Sequence, residues 1–515
     1  MTDQAPAFGQ VVSVGHTLMS AKVTEPGQVP EIGGLIRIET NQARVYGSIS
    51  SFNEGGTVSI ILSGEALSGE TRFRRGVSVH PLPGAPVHRG TLEDALLVYG
   101  DDRPGSLRIG TVFNAPDVAA HVATDNLLAK HFAILGTTGS GKSCTVALLL
   151  HRLLKANPLA HIVLLDLHNE YASAFKEHAE IIDTSNLQLP YWLLNFEESI
   201  EVFTTGDSSD RQQQMSILRD CLLAARKSFA KDNPDAQGFT VDTPSPYRMS
   251  ELVRLIREAA GKLDKPDSAA PYLRLLARLD SLTSDRRFGF MFSGIVVRDN
   301  LADLMGRLLR IPVDDKPLSV IDLSGVPSEI VDVLVSVLAR TVFDFGLWSA
   351  DQRSVPILLV CEEAHRYVPA NPEDGFAPTR RALGRIAKEG RKYGIALGLV
   401  TQRPSELSAS ILSQCGTLFI LKMSNEQDQQ FVSRALPEGA KDLLSALPTL
   451  RPQEAVLVGE GASVPMRLRF DDLPPEERPH SASASFSESW NKQSGDRAFI
   501  ERTVERWRKQ ERGKG

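Results

Sequence analysis

The sequence predicts an α/β fold with a parallel sheet at its centre, a small β-barrel before it and a helical insertion within it. Three observations lead to this prediction. Short alternating strands with Gly and Pro punctuation occupy residues 9 to about 85. From about residue 107 strands alternate with helices, as in parallel sheets that are covered on both faces. Between residues 207 and 305 apolar residues recur at helical spacing instead.

Length and composition limit what the chain can be. Its 515 residues exceed what a single hydrophobic core supports, so we expect several domains. The net charge of -6 argues against a cationic coat, so any nucleic acid would have to be bound by a local basic patch. Four scattered cysteines give no zinc pattern and fit reduced thiols. No apolar run approaches the ~20 residues of a membrane span and no signal peptide is recognisable, so we expect a cytoplasmic protein with no membrane contact.

The N-terminal region is predicted to be a barrel without catalytic groups. Its predicted strands are residues 10–14, 34–39, 44–49, 57–62 and 76–80. A proline-rich connection at 81–86 then leads to residues 108–112, where we expect the second domain to begin.

A complete phosphate-binding loop, Gly136-x4-Gly141-Lys142-Ser143, lies between an apolar strand and a helix-forming stretch. Its glycines let successive N–H groups and the helix N-terminus point at a triphosphate. We expect Lys142 to reach the β- and γ-phosphates of ATP and the Ser143 hydroxyl to ligate Mg²⁺. The predicted nucleotide-binding residues are Gly136, Thr137, Thr138, Gly139, Ser140, Gly141, Lys142, Ser143 and Cys144.

The next strand, at 161–166, ends in Asp166, with His168 and Glu170 following on the same face of an extended chain. These groups could bind a metal ion. Carboxylates and a histidine at a strand end are also typical of a hydrogen-bonded network around a site, so both interpretations stay open.

Two acids, Glu362 and Glu363, end the buried strand at 356–361. A phosphate-loop ATPase requires such an element, because one carboxylate holds the Mg²⁺ and the next orients and deprotonates the attacking water. We assign Glu362 to Mg²⁺ and Glu363 to the water.

Candidate groups follow five predicted strands. They are the phosphate loop, residues 166–170, residues 323–327, the Glu362/Glu363 pair and Gln402. Ligands of parallel sheets bind at the carboxyl ends of the strands, so this convergence predicts one site. Six Lys and Arg residues at 380–392, a pattern usually typical of a solvated helix face, lead into the strand that ends at Gln402.

The C-terminal part is predicted to contain a strand at 417–422, a helix, and a closing hairpin of residues 455–459 and 465–470. The Ser/Ala-rich stretch 481–489 is predicted to be a flexible linker. Residues 496–512 place Ile500, Val504 and Trp507 on one face. Docking on a neighbouring molecule and a frayed surface helix both fit this pattern.

Five motifs together resemble one family. They are residues 128–143, Asp166-Leu-His-Asn-Glu-Tyr171, Cys361-Glu-Glu-Ala-His365, Ile386-Ala-Lys-Glu-Gly-Arg-Lys392 and Thr401-Gln-Arg-Pro-Ser405. In this order they are similar to the HerA-type DNA translocases of the FtsK/HerA branch of RecA-like ATPases. The resemblance covers about residues 9–470, because the barrel is similar to the family's HAS-barrel and the insertion to its helical bundle.

The resemblance implies a domain plan. It is a barrel at 1–85, a RecA-like ATPase core at 86–206 and 306–470, a helical-bundle insertion at 207–305, and a linker with a bracing tail at 471–515.

The resemblance also implies a function. The family forms homohexameric rings that hydrolyse ATP between subunits and move double-stranded DNA through a central channel, independently of its sequence. A nuclease or other effector, NurA-like or sirtuin-like among them, binds the barrel face in DNA end processing or antiphage defence. Two rival functions remain: a nucleotide-dependent ring scaffold that activates a partner, and a conjugation- or secretion-type motor.

Further site residues follow from the same resemblance. Arg391 is implied as the arginine finger offered to the neighbouring subunit, with Arg380 and Arg381 as rivals, and Gln402 as the sensor of the γ-phosphate. Two positions depart from the family pattern. Glu362 is one methylene longer than the usual Asp, which leaves direct and water-bridged contact with Mg²⁺ open, and Asn169 stands where Gly is common.

Overall fold

The computed structural model describes residues 6–509, except 71, 101–103, 188, 262–268, 293–296, 351–354, 437–439, 441, 481–486, 488, 489 and 492–494. It confirms the predicted fold class: a closed N-terminal barrel, a large mixed sheet and a helical insertion. Most of the predicted linker at 481–489, and the end of the predicted tail, lie outside the described residues.

The described part of the N-terminal region contains seven strands, of which six form the barrel. They are β1 (Ala7–Val14), β2 (Leu18–Val23), β3 (Leu35–Glu39), β4 (Ala43–Asn53), β5 (Thr57–Leu67), β6 (Arg74–Arg75) and β7 (Pro86–Arg89). Pairing in the order β2-β1-β7-β3-β4-β5, with β2 also on β5, closes a ring of six strands, and β6 lies outside on β5. Since β7 belongs to this ring, the barrel continues beyond residue 85.

The strand predicted at 76–80 was wrong. The carboxylate of Glu65 accepts the backbone N–H groups of Ser78 and Val79 at 3.0 and 3.1 Å, and also the Ser78 hydroxyl. A side chain therefore satisfies donors that a neighbouring strand would otherwise take.

Asp94 joins the barrel to the rest of the molecule. It lies in helix α1 (Leu92–Tyr99), and its buried carboxylate accepts hydrogen bonds from Arg37 at 3.2 Å and Tyr46 at 3.0 Å, both on barrel strands. The N–H of Thr91 adds a third bond at 2.9 Å and caps the helix. Because α1 packs on β9 of the large sheet, one carboxylate connects the two bodies.

The large sheet has eleven strands. They are β8 (Ser106–Val112), β9 (Ala115–Ala123), β10 (Phe132–Leu135), β11 (His161–Asp166), β12 (Ala179–Ile182), β13 (Leu318–Asp322), β14 (Ile357–Cys361), β15 (Ile395–Thr401), β16 (Thr417–Ile420), β17 (Glu454–Gly459) and β18 (Met466–Phe470). The order is β12-β13-β11-β14-β15-β10-β16-β17-β18-β8-β9. The seven strands from β12 to β16 are parallel and the rest antiparallel.

Helices cover both faces of this sheet. Besides α1 they are α2 (Thr124–Ala129), α3 (Lys142–Ala156), α4 (Phe196–Phe203), α5 (Ser208–Phe229), α6 (Met249–Gly261), α7 (Ala270–Ser284), α8 (Gly289–Phe292), α9 (Leu301–Leu309), α10 (Ser328–Ser349), α11 (Ala377–Glu389), α12 (Ala409–Leu412), α13 (Glu426–Ala435) and α14 (Arg497–Lys509). In the described part of the chain, none is both long and apolar enough to cross a lipid bilayer.

The helical insertion shares a core with the sheet. Leu222 of α5 and Leu252 of α6 belong to the same apolar cluster as Leu397 of β15. The buried guanidinium of Arg226 in α5 donates to the carbonyl oxygens of Trp192, Leu194 and two residues of the following loop. The insertion is therefore held to its base by polar contacts as well as apolar packing.

The C-terminal helix α14 leaves its apolar side chains in solvent. Phe499, Ile500 and Trp507 are 51, 60 and 74% exposed. The predicted docking of this segment on a neighbouring molecule stays a prediction.

Candidate functional site

The carboxyl edge of the parallel strands gathers most of the predicted site residues. The phosphate loop follows β10, Asp166 ends β11, Glu362 and Glu363 follow β14, and Gln402 follows β15. These strands are adjacent in the sheet, in the order β11-β14-β15-β10. The groups therefore meet at one edge.

The phosphate loop is held by the ends of two neighbouring strands. The N–H of Gly136 donates to Thr401 O at 3.3 Å, and the N–H of Thr137 donates to Lys422 O at 3.0 Å. Gly139 and Gly141 have φ angles of 76° and 99°, a conformation that side chains other than glycine rarely adopt. A backbone that winds in this way can direct consecutive N–H groups at an anion.

Helix α3 presents an open N-terminus to the loop. No described side chain caps it, and the residue at its N-cap is Gly141. The first N–H groups of a 15-residue helix, with the positive end of its dipole, are therefore available to phosphate oxygens.

The Lys142 side chain lies inside the loop. Its Nζ donates to Thr137 O at 3.0 Å. Burial lowers the pKa of Lys142, and Glu363, Glu362 and Glu170 oppose that shift by favouring the charged form. A cation that is partly desolvated and faces acids is well placed to bind phosphates.

Glu362 is a buried carboxylate with one oxygen in use. Its Oε1 accepts a hydrogen bond from the Tyr171 hydroxyl at 3.0 Å, whereas Oε2 has no hydrogen-bond partner among the described residues. Burial raises the pKa of Glu362 well above its ordinary value, and the charges of Asp166 and Glu170 raise it further. A bound cation would stabilise the charged form of the Glu362 carboxylate.

The Asp166 carboxylate is occupied by the backbone that follows it. It accepts the N–H groups of His168, Glu170 and Tyr171 at 3.1, 3.2 and 3.0 Å. Asn169 makes this turn possible with a φ of 54°, a conformation that Asn tolerates better than most residues. The geometry favours the hydrogen-bonded network over a metal set at 166–170, and the described residues contain no group of three or more His, Cys, Asp or Glu that could hold a metal.

Glu363 lies between two histidines. Its Oε2 is 3.3 Å from His365 Nδ1 and its Oε1 is 3.8 Å from His168 Nε2. The side chains of Glu363 and His365 are 10 and 11% exposed, whereas that of His168 is 52% exposed. The carboxylate is thus nearly enclosed, beside a partly buried ring.

Gln402 contacts the phosphate loop directly. Its Oε1 accepts a hydrogen bond from the Thr138 hydroxyl. The residue before it, Thr401, is completely buried. Because Gln402 contacts the phosphate loop, its side chain is placed to respond to a phosphate bound there.

The predicted arginine finger lies outside this constellation. Arg391 is exposed on the turn before β15, at the opposite end of that strand from Gln402. Its rivals have partners within the chain, since Arg380 donates to Pro372 O and Arg381 pairs with Glu197. Within the described part of the chain, the Arg391 side chain makes no hydrogen bond or ion pair.

A Mg²⁺ ion fits the donor set. Glu362 Oε2 is buried and lacks a hydrogen-bond partner, and oxygen donors are the ligands that Mg²⁺ prefers. The Ser143 hydroxyl belongs to the first turn of α3, beside the loop. The residues present are those that this ion requires.

Three residues of the site were assigned no role from the sequence. Tyr171 and His365 lie at the ends of two of the quoted motifs, and Thr401 begins a third. Their contacts join residues 36 to 191 positions apart, so only their place beside other motif residues could have drawn attention to them.

Comparison with known proteins shows which family the chain resembles. The family model described as "Helicase HerA, central domain" matches residues 107–342. A DNA double-strand break repair helicase HerA of Pyrococcus furiosus is 27% identical over 425 residues, covering 75% of this chain and 73% of that protein. The chain is therefore similar to HerA helicases over its ATPase core. A probable helicase of Methanocaldococcus jannaschii is 25% identical over 89% of this chain and 90% of its own length. The chain is a phosphate-loop ATPase.

A solved structure supports the same fold. VirB4 of Thermoanaerobacter pseudethanolicus superposes with a TM-score of 0.51 at 17% identity, covering 73% of this chain and 99% of that one. At this identity the likeness concerns the fold alone.

Proposed function

We propose that this phosphate-loop ATPase is a HerA-type motor that moves double-stranded DNA through a ring of six copies. The observation that carries the proposal is the pair of buried acids after β14, which face Lys142 and the phosphate loop across one sheet edge. The relative in Pyrococcus furiosus is named as a DNA double-strand break repair helicase, which supports DNA as the polymer that is moved.

The site residues divide the work of hydrolysis. The phosphate loop and Lys142 bind and orient the triphosphate of ATP, and Ser143 with Glu362 hold Mg²⁺. When bound, this ion neutralises charge on the phosphates. Glu363 orients the attacking water and accepts its proton, which in general-base catalysis contributes roughly 10²–10⁴-fold. Gln402 senses the γ-phosphate through its position at the loop tip.

Arg391 is proposed to complete the site of the next subunit. β15 has seven residues and spans about 23 Å, so Arg391 at its amino end is far from its own phosphate loop. An arginine supplied in trans accelerates phosphoryl transfer by roughly 10³–10⁵. Hydrolysis would then depend on assembly into a ring.

Partners and setting follow from the same proposal. The pore is expected to contact DNA phosphates without reading bases, so binding should weaken steeply with salt. We place a nuclease or other effector on the barrel face, in DNA end processing or antiphage defence. The four free cysteines fit the reducing cytoplasm.

The decisive experiment measures ATP turnover with and without duplex DNA. We expect DNA to stimulate wild-type turnover, and Glu363→Gln to abolish it while the protein still binds nucleotide. Slow turnover that ignores DNA but is needed to recruit a partner would support a ring scaffold and contradict the motor.

A mixing experiment tests the ring. Arg391→Ala and Lys142→Ala subunits should each be inactive alone, and together should regain part of the activity through hybrid interfaces. Full turnover of Arg391→Ala on its own would contradict the trans assignment, as would a protein that stays a single copy with ATP and duplex present.

A further inference from the structure

The backbone of Glu363 is held in an unusual conformation. Its φ and ψ of 50° and 44° are in the left-handed region, which a residue with a long side chain adopts only when its surroundings impose it. The residue lies two positions after the end of the buried strand β14, so its carboxylate is directed by the turn as well as by its own rotamer. A neighbouring group must therefore fix the orientation of the Glu363 carboxylate.

His365 is the group that touches it most closely. The ring Nδ1 lies 3.0 Å from Thr401 Oγ1 and 3.3 Å from Glu363 Oε2. The shorter contact has the geometry of a hydrogen bond, whereas Glu363 Oε2 has no hydrogen-bond partner in the described part of the chain. One nitrogen thus stands between a hydroxyl and a carboxylate.

Electrostatics decides which ring nitrogen carries the proton. Thr401 Oγ1 already accepts the N–H of Arg403 at 3.0 Å, and the carboxylate of Glu363 is the other oxygen near Nδ1. A lone pair on Nδ1 would face negative charge, so the neutral ring is favoured with its proton on Nδ1. That single N–H can serve Thr401 or, after a small rotation of the carboxylate, Glu363.

The contact continues to the phosphate loop. Thr401 is followed by Gln402, whose Oε1 accepts from the Thr138 hydroxyl. The path from Glu363 to the phosphate loop therefore consists of the 3.3 Å contact with His365, two hydrogen bonds and one peptide link.

We propose that His365 is a positioning residue for Glu363: Thr401 keeps the ring in place, and after the small rotation of the carboxylate the Nδ1–H holds it in the orientation that hydrolysis requires. The inference rests on the proposed role of Glu363 in hydrolysis and adds to it the group that aims the base. His365 itself transfers no proton to or from the substrate.

Three substitutions at one position test the proposal, with kcat, the KM for ATP and nucleotide affinity measured for each. His365→Ala should lower kcat at least tenfold and leave KM and nucleotide affinity within twofold. His365→Asn places an amide N–H near the position of Nδ1 and should recover most of kcat, whereas the amide of His365→Gln reaches the position of Nε2 and should not. A kcat unchanged in His365→Ala, or equal rates for the Asn and Gln variants, would overturn the proposal.

A matched control separates positioning from general damage. His131 is a buried histidine at the amino edge of the same sheet, where its ring contacts Leu397 N at 3.0 Å and Ala387 O at 3.1 Å. His131→Ala should lower the unfolding temperature and keep kcat per folded molecule. A loss of kcat equal to that of His365→Ala would assign both histidines a structural role and overturn the proposal.

Failure of the underlying function gives a different result. If Glu363→Gln retains turnover, the role of Glu363 is wrong and the positioning role falls with it. If Glu363→Gln is inactive while His365→Ala turns over at the wild-type rate, only the inference about His365 is wrong.

Discussion

Two regions of the molecule bury charge in opposite ways. At the base of the insertion, the carboxylate of Glu198 accepts two hydrogen bonds from Arg340 at 3.0 Å, one from Ser336 at 2.8 Å and one from Asn195 N at 3.0 Å. At the carboxyl edge of the sheet, Glu362 and Glu363 are buried to a similar degree, yet each leaves Oε2 without a hydrogen-bond partner among the described residues.

This difference distinguishes a charged residue that stabilises the fold, Glu198, from two whose free oxygens suit a role in catalysis, Glu362 and Glu363. A buried ion costs free energy unless its oxygens are satisfied, so an unsatisfied carboxylate persists only where the remaining packing supports it. Substitutions in the two regions should therefore have opposite signatures: lost turnover at the edge, and lost stability at the base of the insertion.

The largest expected effect is at the edge. Lys142→Ala removes the cation that the loop directs at phosphate, and should lower ATP turnover by at least about 10²-fold, as removal of a preorganised transition-state donor does. Because burial already disfavours this charge, the unfolding temperature should fall little. A rate close to wild type would remove Lys142 from the site.

The base of the insertion should respond through stability. Arg340→Ala leaves Glu198, 1% exposed, without its counter-ion, which typically costs about 3–5 kcal/mol. Chemical denaturation should show this loss, with turnover per folded molecule retained. The double variant Glu198→Leu/Arg340→Met should regain most of the stability, and a single variant as stable as wild type would contradict the comparison.

Tyr171→Phe tests whether the hydroxyl of Tyr171 holds the carboxylate of Glu362 in position. The variant removes the hydroxyl that donates to Glu362 Oε1, a bond to a charged group worth about 1.5–3 kcal/mol. We expect roughly tenfold weaker activation by Mg²⁺, read from turnover titrations, and a small change in stability. Unchanged Mg²⁺ dependence would mean that Tyr171 does not position Glu362.

The smallest expected effect is on pH dependence without Mg²⁺. Burial raises the pKa of Glu362, so the folded state binds the proton more readily than the unfolded state. Its contribution to stability is present below the ordinary carboxyl pKa and is lost as pH rises. Glu362→Gln should therefore raise the unfolding temperature in EDTA more at pH 8 than at pH 5, whereas the exposed Glu373→Gln should not. A rise in unfolding temperature that is larger at pH 5 than at pH 8 would contradict the raised pKa of Glu362.

Local pattern was enough for the fold class and for the strand ends. Apolar runs followed by polar groups predicted β10, β11, β14 and β15, because a buried parallel strand must be apolar throughout its length. The strand predicted at 76–80 was wrong because a distant glutamate, Glu65, takes its backbone donors. Short β2 and the capped helix α1 were missed, since neither forms a long periodic segment.

Contacts within the site could be predicted only where residues are neighbours in sequence. The assigned roles of Lys142, Glu362, Glu363 and Gln402 remain predictions, now with a common location. The hydroxyl of Tyr171 on Glu362 and the ring of His365 on Thr401 depend on how strands align in the sheet, which no local pattern encodes.

The Asp94 joint has a mechanical consequence. Its carboxylate takes bonds from two barrel strands while its helix rests on β9, an edge strand of the same sheet that carries the phosphate loop. Rotation of the barrel relative to the sheet would break the buried hydrogen bonds to the Asp94 carboxylate. These bonds therefore oppose such a rotation. A torque on the barrel would therefore be transmitted to β9, at the edge of the ATPase sheet.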